Sequence, residues 1–184
     1  MQSTSLVVLV FNFFMVAILP RIFFRQDGKF NFKWALTAWP FVADPVFMIL
    51  GWNGRWSPLW TGNVFQESLA VFLAGCSLFL IGLTMGTNRI PLALWHQEND
   101  APRNIVTWGA YTYIRHPFYT SFIIAYSAAV LYFPHWSTIA ILIYGLVSLN
   151  LTAAREERRL SASEFGAEYK AFMAKTGRFC PKFF

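Results

Sequence analysis

The sequence predicts an all-α integral membrane fold, a bundle of about five transmembrane helices with a cytoplasmic C-terminal amphipathic helix. Three observations predict it. Hydrophobic residues make up 56% of the 184 and charged residues only 13%, against roughly 45–50% and 25% in soluble domains. The apolar residues gather in five runs, near 5–24, 34–52, 67–86, 117–133 and 136–153, each close to the roughly 17–25 residues that a helix needs to cross the hydrocarbon core. When these runs are threaded in order with the N-terminus outside, fourteen of the fifteen Lys and Arg fall on the cytoplasmic side and only Arg55 falls outside. Cytoplasmic loops carry the basic excess, and four or six spans would scatter these charges. One membrane domain over residues 1–184 is expected, with residues 1–85 supplying the N-terminal spans.

The first run has no basic residue before it, is long for a signal peptide, and is followed by no small-x-small cleavage site, so it reads as a retained span. Pro40, Asp44 and Pro45 interrupt the second, which fits a broken or re-entrant helix as well as a straight crossing. An intramembrane Asp44 is costly enough to be a functional candidate, although backbone amides freed by the two prolines would also satisfy it. In the third run Gly82 and Gly86 form a Gly-x-x-x-Gly pair of the kind used in helix packing. The longest polar stretch follows, Thr87 to Ile114, with His96, Gln97, Glu98, Asn99 and Asp100. The fourth run is short between its prolines, and flanking Tyr and Trp are expected to complete it at the interface. After Thr152 the tail reads as an amphipathic helix with Leu160, Phe165, Tyr169, Phe172 and Met173 on one face, suited to lie in the headgroup layer as a lid.

Cys76 in the third span and Cys180 in the tail cannot meet, so no disulfide is expected, and Cys180 is too far from the end for a prenylation box. The net charge of +6 reports topology and contact with anionic headgroups, not nucleic acid. No metal is expected.

Function is suggested by two polar clusters that bracket the last hairpin, Gly109 to Tyr119 at its start and Arg155-Glu156-Glu157-Arg158-Arg159 at its close. Pro117 suits the first turn of a helix, and the free amides of Phe118 to Ser121 would form a positive end for a carboxylate or phosphate, with Arg115 and His116 adding donors. A purely structural reading makes Arg115 a positive-inside anchor, His116 a helix cap and Tyr119 an interface aromatic. Glu156 and Glu157, placed at a helix C-terminus, oppose its dipole by about 0.3–1 kcal/mol each. Their partner is either the adjacent arginines or a ligand bearing hydroxyls, an ammonium or a sulfonium.

The ordered set Val106, Gly109, Tyr111, Arg115-His116-Pro117, Tyr119, Glu156-Glu157, Leu160, Phe165-Gly166, Tyr169, Arg178 and Pro181 resembles the isoprenylcysteine carboxyl methyltransferase and phospholipid methyltransferase superfamily. The resemblance covers Gly86 to Pro181, and it implies that 86–184 is a methyltransferase-like catalytic region binding S-adenosylmethionine on the cytoplasmic side under the tail. Carried over, the cofactor contacts are Arg103, Asn104, Ile105, Val106, Tyr111, His116, Pro117, Phe118, Tyr119, Glu156 and Glu157. Gln97 matches a glutamine of the preceding loop, with His96 as its competitor. Two positions depart from the pattern. An arginine one turn before the Glu pair, associated with the acceptor carboxylate in prenylcysteine enzymes, is here Thr152, with Arg155 the nearest cation. The spacing from Leu160 to Gly166 is one residue longer.

The resemblance implies in-line methyl transfer from a sulfonium, for which the protein positions two partners and excludes water. His116 or a glutamate would take a proton from an ammonium acceptor, which makes His116, Glu156 and Arg155 the candidate catalytic residues. The acceptor is expected to be lipidic or a small hydrophobic molecule arriving from the bilayer. Two other classes fit less of the pattern. A nicotinamide-dependent sterol or enone reductase would carry a more Arg- and Asp-rich segment at Glu156-Glu157, and a non-catalytic membrane scaffold would leave the Tyr, His and Glu set as decoration.

Overall fold

The computed structural model describes residues 2–18, 28–30, 32–87 and 105–182. Among them the chain forms α1 (Ser3–Ile18), α2 (Phe32–Ala38), α3 (Pro40–Trp52), α4 (Val64–Thr87), a 3-10 turn (Gly109–Thr112), α5 (Pro117–Tyr132), α6 (Trp136–Ser161) and α7 (Gly166–Lys175). Three helical stretches, Ala35–Trp52, Val64–Thr87 and Trp136–Ser161, are long and apolar enough to cross a membrane, while Ser3–Val16 and Pro117–Tyr132 are shorter apolar helices. Large apolar side chains such as Phe72, Phe79 and Ile143 face outward, whereas Asn12, Asp44, Ser77 and Thr138 are fully buried. That inversion is expected when the surrounding solvent is lipid, and the chain is an integral membrane protein.

Helix α5 is the hub. Ala125, Ala128 and Ala129 on it and Ala70 and Ala74 on α4 are fully buried; such small residues let two backbones approach where no hydrophobic force drives them together. The buried Ser77 hydroxyl donates to the Ser121 carbonyl at 2.9 Å, fixing the register. On another side Phe41 of α3 meets Phe122 edge-on, 4.6 Å between centroids, and Phe13 of α1 lies against Phe41. Against α6 the contact depends on Gly145, where a Cβ would stand 2.6 Å from the Tyr126 ring.

At the end of α5 away from Pro117, His135 caps α6. Its Nδ1 accepts from the Ser137 amide at 3.2 Å, and its own amide donates to Thr138 Oγ1 at 3.4 Å. Its ring stacks on Trp56 and on Phe133, with centroids 5.0 and 5.1 Å away.

Several expectations need correction. Of the two options for the second run, the broken helix is found: Trp39 separates α2 from α3, and Pro40 sits in the first turn of α3, where its missing amide costs nothing. Pro45 stays inside α3, so the backbone does not open around Asp44. Neither carboxylate oxygen of that buried residue has a hydrogen-bond partner. Gly82 and Gly86 are exposed, with no atom within 4 Å of a Cβ built on either, so they make no packing contact among the described residues. The fifth helix runs on to Ser161, because Ala153 to Ser161 contains no Gly or Pro. The Glu pair therefore lies inside α6, and Arg158 and Arg159 occupy the last turn, where positive charge suits the dipole. The amphipathic tail is correspondingly divided. Leu160 belongs to α6, and α7 contributes the buried Tyr169 with Phe172 and Met173 half-buried.

Candidate functional site

The site grows from the turn that precedes α5. The Ala110 amide donates to Thr87 Oγ1 at 3.3 Å, tying the turn to the end of α4. Residues 113–116 then run parallel to a strap formed by 176–179. The Gly177 amide donates to the Tyr113 carbonyl at 3.2 Å, the Arg115 amide to Gly177 at 2.9 Å, and the His116 amide to Arg178 at 3.1 Å. The Thr120 hydroxyl adds a bond to the Phe179 carbonyl at 3.0 Å. The strap can turn here because residue 177 is glycine: a Cβ would overlap the Cys180 carbonyl.

The strap carries a guanidinium to α6. Arg178 holds Glu157 with both forks, Nε to Oε1 at 3.1 Å and Nη2 to Oε2 at 2.5 Å, while Nη1 donates to Asn150 Oδ1 at 2.5 Å. Arg115 meets the same carboxylate, Nε to Oε1 at 2.9 Å, and its Nη1 donates to the carbonyls of Met173 and Thr176. Glu157 is thus a buried node shared by the turn before α5, α6 and the strap. Paired, bidentate contacts of this kind are what keep a buried charge tolerable.

Glu156, one residue earlier and about 100° around the helix, faces Tyr119, whose hydroxyl donates to Oε1 at 2.7 Å. His116 lies between the two carboxylates, Nδ1 3.5 Å from Glu156 Oε2 and Nε2 3.4 Å from Glu157 Oε1. Its ring is parallel to Tyr119 with centroids 5.3 Å apart. It makes no capping bond to α5, and its buried Nε2 has no hydrogen-bond partner. The reading of His116 as a helix cap is therefore incorrect, as is that of Arg115 as an interfacial anchor, since its side chain is only 11% exposed and engaged with Glu157.

Electrostatics separates the two glutamates, which lie beyond the apolar run near 136–153. Burial pushes the Glu157 carboxyl up, but contacts with His116, Arg178 and Arg115 outweigh it and hold the group well below the usual carboxylate range. Glu156 goes the other way: burial raises it, only partly offset by His116, the Tyr119 hydroxyl and Arg159. Glu157 is a saturated anion. Glu156 is half-buried and less fully paired, suited to accept from hydroxyls or to pair with a cation.

His116, Tyr119, Glu156 and Glu157 are brought together. Pro117 opens α5, but the Phe118 ring packs on Phe122 in the core, and the Thr120 amide is taken by the His116 carbonyl, which leaves less of a free helix end than the sequence suggests. Tyr111 is buried beneath the turn, and Ile105 and Val106 are half-buried. Arg155 is exposed and is not brought to the cluster. Gln97, with its competitor His96, and Arg103 and Asn104 lie outside the described residues. Arg178 was legible only as part of the family pattern, and its role as partner of Glu157 carried no signal in spacing.

A model of the isoprenylcysteine carboxyl methyltransferase (ICMT) family matches residues 69–162, half of the chain. The match includes the turn before α5 and both glutamates, and it stops before the strap. Comparison with curated proteins and with solved structures gives no match.

Proposed function

The chain belongs to the isoprenylcysteine carboxyl methyltransferase family and is a membrane methyltransferase of that type; we propose that it uses S-adenosylmethionine at the Glu156, His116 and Tyr119 cluster to methylate a lipidic or small hydrophobic acceptor. The observation that carries this reading is the half-buried Glu156 carboxylate, bonded by the Tyr119 hydroxyl at 2.7 Å, with the His116 ring 3.5 Å from it. These residues fit such a cofactor: a carboxylate for its hydroxyls or positive groups, and the parallel His116 and Tyr119 rings to flank a cation.

When bound, the cofactor supplies a methyl group on a sulfonium for in-line displacement. The protein's share is positioning and the exclusion of water. Tyr119 orients Glu156, while Glu157 with Arg115 and Arg178 fixes the strap over the His116 backbone. His116 Nε2 takes the proton when the acceptor is an ammonium; a carboxylate or thiolate acceptor needs no base. Ile105, Val106 and Tyr111 complete the set of contacts the family resemblance implies within the described residues; Gln97, Arg103 and Asn104, implied with them, lie outside those residues. Thr152 bonds back to the Ser148 carbonyl at 2.8 Å and Arg155 faces outward, so neither offers a cation to an acceptor carboxylate.

Five crossings of one membrane domain, with the N-terminus outside and the site cytoplasmic, complete the proposal and rest on the partition of Lys and Arg. Cysteine-accessibility labelling at positions 135 and 175 should find them on opposite sides of the membrane; labelling from one side would overturn the topology. For the site, Glu156→Gln keeps the shape and removes the charge. Binding of labelled S-adenosylmethionine in nanodiscs should weaken at least tenfold, the size of one charge-assisted hydrogen bond, and equal affinity would refute the assignment.

A further inference from the structure

Between the last turns of α6 and the facing side of α7 lies an open cleft of about 490 Å3, lined by Ala154, Arg158, Ser161, Lys170, Met173 and Arg178. Glu157 also borders it, but that carboxylate is already matched by Arg115 and Arg178. The charge left over is positive. Arg158 spends its Nε on the Ala154 carbonyl at 3.2 Å, which keeps both Nη groups for another partner, and no carboxylate among the described residues pairs with Arg158 or Lys170. Ala154 and Met173 give the cleft an apolar wall. Ala154 stands where the apolar run near 136–153 gives way to the charged residues 155–159, a change expected where hydrocarbon meets headgroups.

We infer that this cleft binds the phosphate of an anionic phospholipid from the leaflet on the site's side, with Arg158 and Lys170 on the phosphate and the start of the lipid chains against Ala154 and Met173. Guanidinium and ammonium together match a phosphate oxygen set, and a cationic headgroup such as choline would meet two like charges. The lipid would bridge α6 and α7 and so hold the strap from outside. The inference uses neither His116 nor Glu156, although the cleft shares Glu157 and Arg178 with the proposed site.

Labelled phosphatidylglycerol and labelled phosphatidylcholine, titrated separately into the detergent-solubilised full chain, provide the test. Wild type should prefer phosphatidylglycerol. The double variant Arg158→Ala/Lys170→Ala should bind it roughly tenfold or more weakly, since each interfacial cation contributes about a factor of five, with phosphatidylcholine binding unchanged. The charge-keeping variant Arg158→Lys/Lys170→Arg should retain most of the preference, which separates loss of charge from loss of fold. Equal affinity of wild type and the double alanine variant for phosphatidylglycerol would overturn the inference. So would complete displacement of the labelled lipid by millimolar glycerol phosphate, because the site would then be one for soluble phosphate.

Discussion

Two histidines stand at the same local position, immediately before a helix, at opposite ends of the α5–α6 hairpin, and they are used in opposite ways. His135 is consumed by its own helix: its ring nitrogen holds the Ser137 amide and its faces are stacked on Trp56 and Phe133. His116 gives α5 nothing beyond its backbone; its ring lies between Glu156 and Glu157, 3.5 and 3.4 Å away. What differs is where each ring is held. A cap accepts from the second or third amide of its helix: the His135 ring takes that of Ser137, whereas the His116 ring, lying between the two glutamates, leaves that of Phe118 without a side-chain cap. A histidine before a helix is informative only once its ring nitrogens are accounted for.

The most severe way to break this contrast is to remove what holds His116 in place. Glu157→Ala leaves Arg115 and Arg178 facing each other without their shared anion and should destabilise the strap and the turn before α5 by about 3–5 kcal/mol. Limited proteolysis should then cut near residues 176–179 in the variant and not in wild type. Glu157→Gln should fall between them.

The two histidines can be set against each other directly. His116→Ala should lower methyl transfer about a hundredfold or more for an ammonium acceptor, with little change in melting temperature. His135→Ala should leave methyl transfer untouched and cost about 1 kcal/mol of stability, the size of a lost helix cap. Reversal of these two outcomes would mean that the site lies at the other end of the hairpin.

Acid sharpens the comparison further. The folded-state carboxyl of Glu157 is held below its unfolded value, so the stability it contributes is fully present above the usual carboxylate range and is lost as the pH falls. Glu156, raised by burial, has the opposite sign and is relieved by acid. Hydrogen exchange of the Arg115 and His116 amides, which report the strap, should be protected from neutrality down to about pH 5 and progressively lose protection below about pH 4. The capped start of α6 should show no parallel change. The smallest effect is expected for Thr120→Val, which removes the hydroxyl bond to Phe179 and should cost about 1 kcal/mol, visible as faster exchange at the strap alone.

The three stretches long enough to cross a membrane could be read from the sequence as apolar runs, although Pro40, Asp44 and Pro45 interrupt one of them, and Pro117 fixed the start of α5 for a local steric reason. The meeting of His116, Tyr119 and Glu156 followed from a short hairpin that must return its open ends to one face. Other features depended on helical phase, which a sequence does not reveal when a helix is apolar all round. Gly82 and Gly86 face outward, and Arg155 points away although its neighbour Glu156 points in. The extension of α6 to Ser161 was hidden because charged residues mark a membrane boundary without ending a helix. The strap was illegible for a different reason: its register is set by backbone-to-backbone bonds, formed by residues with no periodicity.

That strap imposes an order of events on biosynthesis. Arg115 and Thr176 are separated by 61 residues, which a ribosome adding about 5–20 residues per second needs roughly 3–12 s to supply. Glu157 precedes Arg178 by 21 residues, so Arg115 and the carboxylate are both made before the second guanidinium that neutralises it. Competence therefore waits for the strap, which can close only after residues 176–179 have been added.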